Sequence, residues 1–177
     1  MAYGVVDKAG KLVHHVPIAL PGNRLPHDMG ISENYSILHD LPVYHDEAAL
    51  AAGRHKIRFN ASMKSRFGVI PRFGKSDDVQ WFEFSPCFLY HVINCWEEGD
   101  EVVMVACRFM PTKNEDGTID EIRTAKMIAK LGMQARLWKY RMNVKTGECS
   151  EACLNPDLNC EFPTYNSART GRYSQYA

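Results

Sequence analysis

His91 sits at the centre of the run from Ser85 to Glu97, which is apolar enough to read as a strand buried on both faces. Strict alternation would place Phe88, Tyr90, Val92 and Trp96 on one face and Cys87, Leu89, Ile93 and Cys95 on the other. An imidazole in such a place needs partners for both ring nitrogens, because an unpaired buried polar group is costly. A metal on one nitrogen and an acceptor on the other would meet that need. Taken alone, the strand favours a core histidine bonded to backbone. Spacing shifts the balance: His27 lies 64 positions before His91, and Glu161 lies 70 after it. Near-equal intervals between such residues point to one contribution from each of several successive structural units. A propeller does this naturally, since the innermost strand of every blade faces one axis.

The elements that would position these residues are short strands. Ala2 to Asp7 and Lys11 to Leu20 form an expected hairpin turning at Gly10. The run Leu25 to Leu38 contains Gly30 and a polar middle, which predicts a bulge or tight turn between two short strands. The alanine-rich segment after Asp46 predicts a short helix ending before Gly53. Further strands are expected over Arg66–Arg72, Val79–Phe84, Glu101–Phe109, Gln134–Val144, Glu148–Leu154 and Gly171–Ala177. Thr118 and Glu121 have the spacing of a capping box, which predicts a helix from about Ile119 to Leu131. Such a meander of short strands with little helix reads as an all-β sandwich, barrel or propeller.

Composition narrows the partners. Lys plus Arg and Asp plus Glu both number 21, so nothing in the charge points to nucleic acid. No apolar run approaches the ~20 residues that span a bilayer, and the N-terminus lacks the pattern of a signal peptide. Six cysteines occur without a Cys-x-x-Cys pair, and Cys149, Cys153 and Cys160 match no common zinc spacing. A reduced, cytoplasmic chain is the expectation. No Ser-His-Asp or Cys-His arrangement has supporting context.

The runs His27 to Leu38, Arg66 to Arg72, Trp81 to Glu83, Phe88 to Glu98 and Glu161 to Asn166 resemble, in order, motifs of the carotenoid cleavage oxygenases. That family includes carotenoid, apocarotenoid and lignostilbene dioxygenases and retinal-pigment-epithelium isomerases. The resemblance implies a seven-bladed β-propeller with short helices in inserted loops. It also implies one non-haem Fe(II) on the axis, held by four histidines that three glutamates orient. Carried over by motif, His27 resembles the second metal ligand and His91 the third. Glu161, in Glu-Phe-Pro, resembles the glutamate that accepts from the His91-type ring. The implied activity is O2-dependent cleavage of a conjugated C=C bond in a carotenoid, apocarotenoid or stilbene, with peripheral membrane contact by the whole protein.

The departures from the family pattern are large. Motifs for the first and fourth ligands are missing, and His14, His15, His39, His45 and His55 lie outside any ligand motif. The whole of 1–177 therefore reads as an internal fragment of about two blades with no complete separate domain, inactive in isolation. Two other readings stay open: a non-catalytic propeller binding an apolar polyene, and isomerohydrolase chemistry on the same iron site. Asp28, Glu33 and Asn34 could tie down a loop. Asn94 and Glu97 are expected to hold backbone, and Phe88, Tyr90, Trp96 and Phe162 are expected in the core.

Overall fold

The structure, a computed structural model, describes residues 1–54, 56–132 and 134–177. His55 lies outside them. Two four-stranded antiparallel sheets dominate, each in meander-like order. The first runs β3 (Gly30–Ile31), β4 (Tyr35–Asp40), β7 (Ser65–Pro71), β8 (Gln80–Phe84); the second runs β9 (Phe88–Glu98), β10 (Glu101–Phe109), β11 (Ala135–Asn143), β12 (Cys149–Asn155). Their inner strands β3 and β9 touch, and so do their outer strands β8 and β12. Two hairpins flank them: β1 (Ala2–Val6) with β2 (Leu12–Pro17), and β5 (Val43–His45) with β6 (Ile57–Phe59). Helix α1 (Glu47–Ala51) lies inside the second hairpin, and α2 (Glu121–Ala129) packs on β6.

One core joins the sheets. Phe67 of β7 is fully buried and meets Phe84 of β8 at 5.2 Å and Tyr140 of β11 at 4.9 Å between ring centres. Such aromatic contacts favour these edge and tilted geometries. Asp40, whose side chain is fully buried, is held by Arg24 at 2.6 Å and by Arg66, so the charge does not stand alone. His39 has no such help. It is buried, neither ring nitrogen has a partner, and its ring packs on Phe67 at 5.1 Å.

Three expectations need correction. The segment Gly171–Ala177 is not a strand: Asn94 takes the Gly171 N–H and donates to the Arg169 and Arg172 carbonyls, replacing a ladder. Helix α2 starts later than expected, because Asp120 caps it by accepting from the Arg123 N–H at 2.8 Å. The Glu121 carboxylate instead accepts from the Ala61 N–H at 2.7 Å, so the capping box does not form. The run from Leu25 to Leu38 does hold a tight turn between two short strands, β3 and β4, closed by the Ser32 N–H on the Tyr35 carbonyl; Gly30 itself is a site of close approach, since a Cβ there would lie 2.5 Å from Cys95 Sγ on β9. Finally, the alternation along β9 breaks: the register pairs Val92 with Ala106, on the side of Leu89 and Cys95. Strands β5 and β6, three residues each, carry too little pattern to be read from sequence.

Burial pushes His39 down from 6.5 to about 4, against an opposing pull from Asp28. The unfolded chain therefore binds a proton between these values and the folded chain does not. Stability is complete above pH 6.5 and falls by up to about 3 kcal/mol as pH drops to about 4. His39→Phe is expected to flatten that slope in urea denaturation across the window. An unchanged slope would place the pH dependence elsewhere.

Candidate metal centre

Two irregularities in β9 build the site. The register of β9 against β10 shifts twice around His91, between Asn94 and Val92 and between Val92 and Leu89. Tyr90, His91 and Ile93 consequently have no opposite number on β10, and their backbone groups are available to other partners. The Tyr90 carbonyl accepts from His27 Nδ1 at 2.8 Å, and the Val92 N–H donates to Asp28 Oδ2 at 2.7 Å. The loop before β3 is thereby fastened to β9 by two consecutive residues. Asp28 also accepts from the Met29 N–H at 2.7 Å, so this carboxylate ties down the loop.

The partners dictate the tautomers. A carbonyl only accepts, so the proton of neutral His27 is on Nδ1 and Nε2 keeps its lone pair. His91 Nδ1 lies 2.6 Å from Glu161 Oε2, with the same consequence. No hydrogen bond among the described residues occupies Nε2 of either ring, and the ring centres stand 5.4 Å apart at 88°. The His91 side chain is 28% exposed and Glu161 is 9% exposed, so His91 faces open space while its anchor is covered. These two Nε2 atoms are the donors available to a metal ion. No group of three or more His, Cys, Asp or Glu side chains placed to hold one occurs among the described residues.

The surrounding side chains fix this arrangement. Tyr90 packs edge-on against His27 at 4.7 Å and donates through its hydroxyl to the Ile128 carbonyl of α2 at 2.7 Å. Glu97 accepts from Ser32 Oγ at 2.7 Å and from the Asn34 N–H and amide at 2.8 Å, closing the β3–β4 turn over the end of β9. Burial acts to raise the Glu97 pKa, but these bonds outweigh it and hold the carboxyl below its ordinary value. Glu33 reaches Arg172 at 3.3 Å. Phe162 departs from the core expectation: it is 73% exposed, with a φ of 51° that costs a bulky residue strain. Its ring lies 5.0 Å from that of His91, and its N–H donates to Glu161 Oε2 at 2.9 Å.

The structure thus brings His27, His91 and Glu161 together and leaves the other described histidines apart. His14 bonds the Gly74 carbonyl at 2.9 Å on the first hairpin, and His15 is exposed. Sequence reading missed the Tyr90 carbonyl as the anchor of His27, because a backbone acceptor has no side-chain signature.

Known proteins place this fold. The crystal structure of a Pseudomonas brassicacearum lignostilbene dioxygenase superposes with a TM-score of 0.78 at 23% identity, covering 98% of this chain and 36% of that one. Cobalt-substituted Synechocystis ACO gives a TM-score of 0.76 at 18% identity over 98% of this chain and 36% of that one. The architecture is that of the all-β, propeller-built oxygenases. The family profile described as retinal pigment epithelial membrane protein matches residues 1–177, and the chain belongs to this family of carotenoid cleavage oxygenases. It is 38% identical to a carotenoid 9,10(9',10')-cleavage dioxygenase of Crocus sativus over 99% of its own length and 32% of that protein. A carotenoid 9,10(9',10')-cleavage dioxygenase 1 of Pisum sativum is 36% identical over the same shares. The chain therefore spans about a third of the length of these relatives.

Removing the Asp28 carboxylate leaves the Val92 N–H unpaired beside the bulge. Asp28→Ala is expected to cost about 1–3 kcal/mol in urea denaturation. The Val92 amide should also exchange with solvent faster than its neighbours on β9. Unaltered exchange at Val92 would show that Asp28 does not hold the bulge.

Proposed function

We propose that this chain supplies two iron ligands, His27 and His91, to a carotenoid cleavage oxygenase, with Glu161 holding His91. The whole protein would be a seven-bladed propeller of which the two four-stranded sheets are two blades. Its reaction would be cleavage of a conjugated C=C bond in a carotenoid, apocarotenoid or stilbene to two carbonyl products. One observation carries the reading: both rings are anchored through Nδ1 by acceptors, which leaves two bare Nε2 atoms on neighbouring inner elements. Neutral imidazoles are a fitting donor set for Fe(II), which when bound would supply the O2 chemistry.

The residues of the chain do the rest. The Tyr90 carbonyl and Glu161 hold the protons on Nδ1, and Glu161 also fixes the orientation of the His91 ring. The exposed Phe162 ring beside His91 offers apolar surface of the kind a polyene or stilbene would contact. No nucleophile or general base is called for at this site.

In the whole protein, Glu161→Gln is expected to weaken Co(II) or Fe(II) binding by about 10–100-fold, and His91→Ala to abolish stoichiometric iron and polyene bleaching together. Iron retained at full occupancy in His91→Ala would overturn the assignment. The 177-residue chain alone is expected to hold iron weakly, since two imidazoles are half a ligand set, and to bleach no polyene in the presence of O2. Tight iron with turnover from this chain would refute that expectation.

A further inference from the structure

Two thiols stand immediately behind Glu161. Cys107 lies on β10 at 1% exposure, and Cys160 directly precedes Glu161 in the chain. Cys160 is half-buried, and its N–H donates to the Ala135 carbonyl at 3.2 Å, which holds it over the first residue of β11. Ala135 pairs with Phe109 and Leu137 with Cys107, so that anchor sits two residues along the ladder from Cys107. Both cysteines and Glu161 line one cavity of about 740 Å³. Burial, the Glu161 charge and the neighbouring Cys160 thiol together push Cys107 up to about 12. Glu161 is constrained on one side only: Oε2 holds His91 Nδ1 and the Phe162 N–H, while Oε1 is buried without a partner.

We propose that Cys107 and Cys160 form a modification site, a dithiol that hydroperoxides oxidise to a disulfide, and that closing it draws Glu161 away from His91. Cys160, on the cavity wall, reacts first. Its sulfur attacks one peroxide oxygen, the O–O bond breaks, and the thiol proton leaves with the departing oxygen as water or an alcohol, giving a sulfenic acid. The Cys107 sulfur then attacks that of Cys160, the S–O bond breaks, and hydroxide takes up the Cys107 proton to leave as water. Two thiols and one hydroperoxide thus become one disulfide, one water and one alcohol or second water. Bonding fixes the two sulfurs about 2.05 Å apart. Cys107 is fixed in a central strand, so the displacement falls on the coil that carries Cys160 and Glu161. The other cysteines lack this setting: Cys87 and Cys95 are enclosed in the core, and Cys149 and Cys153 lie on the outer strand β12.

The crosslink stands independently of the metal reading; its effect on metal binding rests on that reading. The whole protein, purified reduced, is treated with tert-butyl hydroperoxide, digested without reductant and mapped by mass spectrometry. The expected result is a Cys107–Cys160 crosslinked peptide that dithiothreitol resolves. It should be absent from Cys160→Ser and from the smaller core change Cys107→Ala. Co(II) titration of the oxidised protein should show affinity reduced by about 10-fold or more, restored by reduction. Uncrosslinked peptides after oxidation, or crosslinks to other cysteines instead, would overturn the proposal. A crosslink with Co(II) affinity unchanged would remove its control over His91. A crosslink in a protein that takes up no metal in either redox state would sustain the dithiol and overturn the metal assignment.

Discussion

The hydrogen bond from His27 Nδ1 to the Tyr90 carbonyl, 2.8 Å long, is the constraint on which the site turns. It joins the loop before one sheet to the innermost strand of the next and selects the tautomer of His27 in the same contact. It can form because β9 slips twice against β10, which leaves the Tyr90 carbonyl outside the ladder. As the edge strand of its sheet, β9 also turns alternate backbone groups away from β10. The absence of a side chain at Gly30 then lets β3 approach Cys95 closely enough for the two inner strands to meet.

The joint between the sheets is polar at its inner end and apolar further out. Asp28, Asn94 and Glu97 each reach across more than sixty residues of sequence to take backbone N–H groups from loops and strand. These are charge-assisted or amide contacts that need one orientation, and they set position where a greasy contact would only set proximity. Further out, Phe67, Phe84 and Tyr140 supply the burial that holds the sheets together. His39 is the exception within this arrangement, a buried ring whose nitrogens go unmet.

Much of this was legible in the chain before folding was considered. The hairpin at Gly10, the helix after Asp46 and the strands around His91 follow from turn residues, capping and periodicity. The pairing of His91 with Glu161 was legible only through family motifs, and the structure places it at 2.6 Å. The strand expected over Gly171–Ala177 failed because Asn94, seventy-seven residues earlier, satisfies the Gly171 N–H. The capping box at Thr118 and Glu121 failed because the Glu121 carboxylate accepts from the Ala61 N–H, sixty residues away. In both cases a distant partner competed with a local pattern and won.

Residue types and their order determined the family, the all-β character and the three residues that could make a metal site. Those properties depend on local chemistry and on motifs, which are readable along the chain. Tertiary structure alone decided which nitrogen of each histidine is bare, that Phe162 faces outward over His91, and that Cys107 and Cys160 line one cavity with Glu161. Each depends on which backbone groups a bulged strand leaves unpaired and what long-range packing brings beside them. Hydrogen-bond partners sixty or more residues apart leave no trace in a local pattern.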